Sequence, residues 1–168
     1  MLSKNIEQLL QSQIKKEASS SQLYLSMACW ADVKGFDGAA EFLYAHSDEE
    51  REHMLKLVKF VNERGGHAEV PSLDAPQKDF KSLKDIFESI LSHEILVTES
   101  INNIITACLK ENDHTTNNFI QWYVTEQIEE EQLANTIVTK LEMIGNDSSS
   151  LFLFDRELGS MHNMEEGA

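Results

Sequence analysis

The stretch EEREHM, residues 49–54, decides how the rest of the chain folds. Five of its six side chains are ionisable, yet the residues around it place apolar groups every three to four positions, the period of a helix with one buried face. Following that face through Ala39, Leu43, His46, Glu50, His53, Leu57 and Phe60 turns Glu50 and His53 toward the interior. A helix does this at a cost unless the buried charge is paired or binds something.

Three more segments carry the same period. Residues 4–33 present Ile6, Leu10, Ile14, Glu17, Ser21, Tyr24, Ala28 and Ala31 on one face. Residues 82–110 present Leu83, Phe87, Ile90, Glu94, Val97, Ile101, Ile104 and Cys108. Residues 114–144 present Thr116, Ile120, Tyr123, Gln127, Glu130, Ala134, Ile137, Leu141 and Ile144. Together with 37–64 these are four long helices, broken at residues 34–38 and at Asn112-Asp113. Both prolines, Pro71 and Pro76, fall in residues 65–81, where the period lapses. Helices of this length are about 40 Å long, and an extended connection at about 3.3 Å per residue can span that distance. The sequence therefore predicts an all-α four-helix bundle with one long crossover, the second and third helices running parallel. Gly145 suits a helix end and Asp147 the cap of a short fifth C-terminal helix near 148–160. With 168 residues, the chain is expected to be one domain, 1–168.

The 14 basic residues against 29 acidic ones give a net charge of -15, which repels nucleic acid and anionic membrane and favours cations. No apolar run reaches the roughly 18 residues of a membrane span, and the N-terminus lacks a signal-peptide pattern, so a soluble cytoplasmic protein is expected. Cys29 and Cys108 are far apart and make neither a disulfide framework nor a CxxC knuckle; both are expected as reduced core thiols.

The polar interruptions follow one spacing. Glu17 to Glu50 and Glu94 to Gln127 are each 33 residues apart, and Glu50–His53 and Gln127–Glu130 are each three apart. Each falls near mid-helix, so neighbouring helices present them at one level. A lone inward Glu is often paired or water-satisfied, but these four faces hold no Lys or Arg to neutralise Glu17, Glu50, Glu94 and Glu130. Several carboxylates and one imidazole suit two divalent ions such as Fe(II) or Mn(II), and are too rich in carboxylate for structural zinc. The non-redox alternative is a structural acidic bundle with protonated carboxylates or bound calcium.

At these residues, and in the strings Glu49–His53 and Gln121–Gln127, the chain resembles the bacterial non-haem ferritins over nearly its whole length. The resemblance implies a ferritin-like fold and iron storage with ferroxidase activity. It implies a first iron held by Glu17, Glu50 and His53 and a second by Glu50, Glu94 and Glu130, with Glu50 bridging and Gln127 nearby. It further implies a looser third iron site at Glu49, Glu126, Glu129 and Glu130. The spacing of Glu126, Glu129 and Glu130 on one flank supports a cation there, although a solvated acidic face has the same pattern. Tyr24, two turns beyond Glu17, fits either a core tyrosine with a satisfied hydroxyl or the family's hydrogen bonder and electron donor. His46, one turn before Glu50, is read as a satisfied core histidine with support of the metal ligands as the alternative, Trp122 as packing off the inward stripe, Glu52 and Glu131 as surface acids, and His67, His93, His114 and His162 as loop or flank residues. The implied partners are Fe(II) with dioxygen or peroxide and further copies of the chain, 24 in a hollow shell, with Leu151, Phe152, Leu153, Phe154 and Leu158 packing around symmetry axes.

Related architectures fit less well. Bacterioferritin would carry a second Glu-x-x-His on the fourth helix, where this chain has residues 127–130 as QIEE, and a haem-ligating Met where Arg51 stands; haem is not expected. A rubrerythrin-type peroxidase would add CxxC pairs. A mini-ferritin would lack the fifth helix, and the basic N-terminal arm that would hold DNA is absent here. With Asn117 and Asn118 opening the fourth helix, no acidic pore pair can be assigned from sequence.

Overall fold

The computed structural model describes residues 1–165, with side chains through Met161, so His162 lies outside the described side chains. It contains α1 (Lys4–Lys34), α2 (Asp37–Glu63), α3 (Leu83–Glu111), α4 (His114–Ile144) and α5 (Ser148–Glu165), with no strand among the described residues. The first four boundaries agree with expectation to within one residue. Helix α5 runs past its expected end, to Glu165.

Local chemistry sets the ends. Ser3, Ser82 and Asp113 cap α1, α3 and α4 by accepting from Ile6 N, Asp85 N and Thr116 N, and Asp147 accepts from Ser150 N at 2.8 Å. Gly35 closes α1 in the left-handed region at φ 80°, and Asn112 closes α3 at φ 57°. Helix α2 has no cap of its own, since Phe36 offers no side-chain acceptor. Asp155 on α5 supplies it, accepting from Gly38 N at 3.2 Å and Ala39 N at 2.9 Å. The approach is so close that a Cβ on Gly38 would lie 1.8 Å from the Asp155 carbonyl oxygen and 3.1 Å from Gly159 N, one turn further along α5.

The crossover lies along α1. Gln11 holds Glu69, Ser26 donates to the Gln77 carbonyl at 2.7 Å, and Phe80 packs edge-on against Trp30. Phe42, five residues into α2, meets Phe87, four residues into α3, so these two helices start at the same end and run parallel. Arg64 at the other end pairs with Asp113 at 3.3 Å.

Apolar side chains form two clusters instead of one. The first gathers Tyr24, Met27, Leu43, Phe87 and Ile137 with Phe154 and Leu158 of α5; the second gathers Ile6, Leu10, Leu57, Ile101, Ile120 and Tyr123. Between them lies the polar layer of Glu17, Glu50 and Glu94. Cys108 is buried in the second cluster, and burial pushes its thiol up to about 11. Cys29 corrects the expectation of a core thiol: one residue beyond Ala28 on the helix, it points away from the stripe and is exposed. No described helix is long and apolar enough to cross a membrane.

Candidate metal centre

Glu17 of α1 and Glu50 and His53 of α2 each bring one ligand atom within 4.8 Å of the other two. Glu17 and Glu50 are buried, and their carboxyl groups are hydrogen-bonded to each other. Burial pushes Glu17 up to about 7, against hydrogen bonds from Glu50 and Gln13 that favour its charge. Burial, then the charges of Glu17 and Glu94, raise Glu50 well above the ordinary carboxylate range. The pair therefore holds protons near neutrality, in the place a cation would occupy. His53 Nδ1 lies 3.8 Å from Glu50 Oε2. Burial, followed by Lys56 and His46, lowers its pKa to about 4, so the imidazole is neutral and keeps a lone pair for a metal.

Glu94 enters from α3, fixed on both oxygens. Tyr24 OH donates to Oε1, and Gln127 Nε2 donates to Oε2 at 3.0 Å. Tyr24 is thus a core tyrosine whose hydroxyl reaches the carboxylate layer; burial, then Glu94, Glu50 and Glu130, keep its phenol protonated. Gln127 also lies 3.4 Å from Thr98 Oγ1, tying α3 to α4.

Glu130 is half-buried. Its charge acts on Glu50 and Tyr24, while its carboxylate comes within 4.8 Å of ligand atoms of His46 and Glu49. Glu126 faces the same open groove as Glu49, whose charge acts on it. This groove of about 810 Å³ is also lined by His53, Lys56 and Trp122, and the pKa of Glu126 is raised by burial and then by Glu129. Glu129 is exposed. Trp122 has Lys56 Nζ over its ring at 3.4 Å and stands edge-on to His53 at 5.1 Å.

Several residues escaped the sequence reading. Gln13 is fully buried and donates to Glu17 Oε1 at 2.8 Å, leaving its own Oε1 without a partner. Its only signal was its position four residues before Glu17. His93 is not a flank residue: Nε2 lies 2.6 Å from Ser20 Oγ, and the ring meets Tyr24 edge-on. Glu131, read as a surface acid, is half-buried and accepts from Thr98 Oγ1 at 2.5 Å.

Among the described residues, the ion pairs of Arg64, Lys84 and Lys140 lie elsewhere, and none reaches Glu17, Glu50 or Glu94. Three carboxylates and an imidazole in a desolvated layer form a hard-oxygen donor set suited to divalent first-row ions.

A family model described as a ferritin-like domain matches residues 7–144. The chain is 44% identical over 156 residues to a bacterial non-heme ferritin of Campylobacter jejuni, covering 93% of each chain. It is 36% identical over 166 residues to one from Staphylococcus aureus, covering 99% of this chain and 100% of that one. A solved open-pore ferritin from Archaeoglobus fulgidus superposes with a TM-score of 0.93 at 38% identity, covering 95% of this chain and 98% of the other.

Proposed function

The chain belongs to the ferritin family, whose fold supports iron storage, and we propose that it oxidises Fe(II) with dioxygen at the carboxylate layer and stores the ferric product inside an oligomeric shell. The observation that carries this reading is the buried Glu17–Glu50–His53 cluster with Glu94 beside it and, among the described residues, no lysine or arginine ion-paired to those three carboxylates. One Fe(II) takes Glu17, Glu50 and His53. A second takes Glu50, Glu94 and Glu130, so that Glu50 bridges.

The residues divide the work by their chemistry. Two Fe(II) give up one electron each and dioxygen receives both. Carboxylate oxygens favour the higher charge of Fe(III), so oxidation strengthens binding at the moment it occurs. Gln127 and Tyr24 hold Glu94 by one hydrogen bond on each oxygen, which fixes the face it offers. The product then moves toward Glu49, Glu126 and Glu129 and the cavity, where it mineralises. The exposed Phe152 and Leu153 of α5 supply apolar surface for neighbouring copies, and a shell of 24 subunits suits it.

Metal binding must displace the protons held by the buried pair. Glu17 titrates at about 7 when folded against a reference of 4.5, so its proton is bound across that window and the metal-free protein loses stability as pH rises through it. Glu50 acts in the same direction. His53 opposes them below its reference of 6.5, down to about 4. Zn(II) added near pH 6.5 is expected to release about one or more protons per chain, the share from Glu17 falling away as pH rises above about 7. Calorimetry in two buffers of different ionisation enthalpy measures this; a pH-independent count of zero contradicts it.

The decisive experiment is Fe(II) added to metal-free protein in air, followed by stopped-flow absorbance. A fast coloured phase saturating near two irons per chain is expected. In Glu94→Ala that phase should slow by about 10-fold or more, with the assembled mass unchanged. Unaltered kinetics in the variant would remove Glu94 from the site. Absence of a fast phase in the parent protein favours the non-redox acidic bundle.

A further inference from the structure

We propose that Gln13 is a positioning residue for the first iron position: its carboxamide fixes Glu17 so that the carboxylate offers one chosen oxygen to the cation. The inference rests on the ferroxidase reading for the place of that cation, whereas the contact it starts from belongs to α1 alone.

Gln13 and Glu17 lie four residues apart on one face of α1, where side chains meet. Gln13 Nε2 donates to Glu17 Oε1 at 2.8 Å, and both residues are buried. An oxygen that already accepts an amide hydrogen is the weaker ligand, so a cation is directed to Oε2. The other hydrogen-bond partner of Glu17 is Glu50, itself a ligand in the proposed centre. A cation that takes both carboxylates breaks that contact and leaves the Gln13 amide as the donor that holds Glu17.

The far end of the amide shows that it serves Glu17 and not the fold. Gln13 Oε1 is buried and has no hydrogen-bond partner among the described residues. Burying a carbonyl oxygen unpaired costs stability. Turning the amide over would not remove the cost, because Nε2 would then be orphaned and Oε1 would face a carboxylate oxygen. Leu10 and Ile14, neighbours on the helix, are fully buried, and a methionine or leucine at position 13 would fill a similar volume without an orphaned atom.

Glu94 is held in a parallel way. Each of these two carboxylates receives one carboxamide hydrogen, from Gln13 at 2.8 Å and from Gln127 at 3.0 Å. The amides differ in origin. Gln127 reaches Glu94 from another helix and depends on how α3 packs on α4, while Gln13 stands one turn before Glu17 and moves with it. Such supporting hydrogen bonds orient a ligand and tune its affinity.

The test is Gln13→Met, which keeps the length of the side chain and removes the donor, with Gln13→Leu as a second variant should the first not fold. Zn(II) binding to the assembled, metal-free protein is read by equilibrium dialysis and anomalous diffraction. Wild type should hold an ion at Glu17, Glu50 and His53, with Glu17 bound through one oxygen. In the variant the Kd of that ion should rise about 10-fold or more, with Glu17 bound through both oxygens or turned away, while any ion at Glu94 keeps its affinity. In stopped-flow oxidation the Fe(II) concentration giving half the maximal rate should rise by a similar factor, with the saturating rate changed less. The metal-free variant should melt at or above the wild-type temperature, which separates positioning from packing. Unchanged first-site affinity in the folded variants, or an affinity loss accompanied by a lower melting temperature, overturns the proposal and leaves the ferroxidase reading standing. Wild-type protein with no ion at Glu17, Glu50 and His53 overturns both.

Discussion

Glu50→Gln is expected to lower the rate of Fe(II) oxidation by about 100-fold or more while raising the melting temperature of the metal-free protein near pH 7.5. The activity loss follows from the place of Glu50 between Glu17 and Glu94: its removal would take a ligand from both proposed iron positions, so the effect should exceed the roughly 10- to 100-fold seen when only a supporting group is lost. The stability gain follows from burial. In the wild type, Glu50 is raised by desolvation and by three neighbouring carboxylates, Glu17, Glu94 and Glu130, so ionising it at alkaline pH opposes the fold. A neutral amide of nearly the same shape can keep the hydrogen bond to Glu17 without that charge. Stopped-flow absorbance and thermal unfolding on the same preparation measure both arms. A variant that oxidises iron at the parent rate, or whose metal-free form melts below wild type at pH 7.5, would contradict the argument.

The second large effect lies far from the carboxylates. Gly38→Ala should destabilise the protein by about 3 kcal/mol or more and release α5 from the bundle, because the added methyl would sit 1.8 Å from Asp155 O and 2.7 Å from its carbonyl carbon. Both are backbone atoms and cannot rotate aside. Relief requires α5 to shift, and the shift breaks the two hydrogen bonds by which Asp155 caps α2. Gly35→Ala is the matched control: it has a positive φ of 80° but nothing within 4 Å, so its cost should stay near 1 kcal/mol. Thermal unfolding separates the two, and size-exclusion mass reports whether assembly survives. Equal small costs would mean that α5 adjusts freely.

What was legible in the sequence and what was not have physical explanations. Glu17, Glu50, Glu94 and Gln127 stood out because each interrupts a 3.6-residue apolar stripe, and burial on that stripe is what the structure shows. The helix ends were legible because Ser82, Asp113, Asn112 and Gly35 act through their immediate neighbours. Gln13 was hidden because it adjoins Ile14, whose apolar side chain defined the face. Gly159 carried no signal in the sequence, because its meaning depends on Gly38 of another helix. His46 was visible on its stripe, but which of its ring nitrogens carries the hydrogen depends on the Phe42 carbonyl. Glu131 and His93 acquire partners only when α3 meets α4 and α1. Pattern reveals what a residue does within its own helix; partners distant in sequence remain invisible to it.

The borrowed cap also bears on the order of events during synthesis. Asp155 follows Gly38 by 117 residues, so at about 5–20 residues per second the start of α2 waits roughly 6–23 s on the ribosome for its acceptor. The nascent helix that carries Glu50 and His53 frays at that end until almost the whole polypeptide has emerged. Newly made chains should then fix the first turn of α2 only after translation is essentially finished.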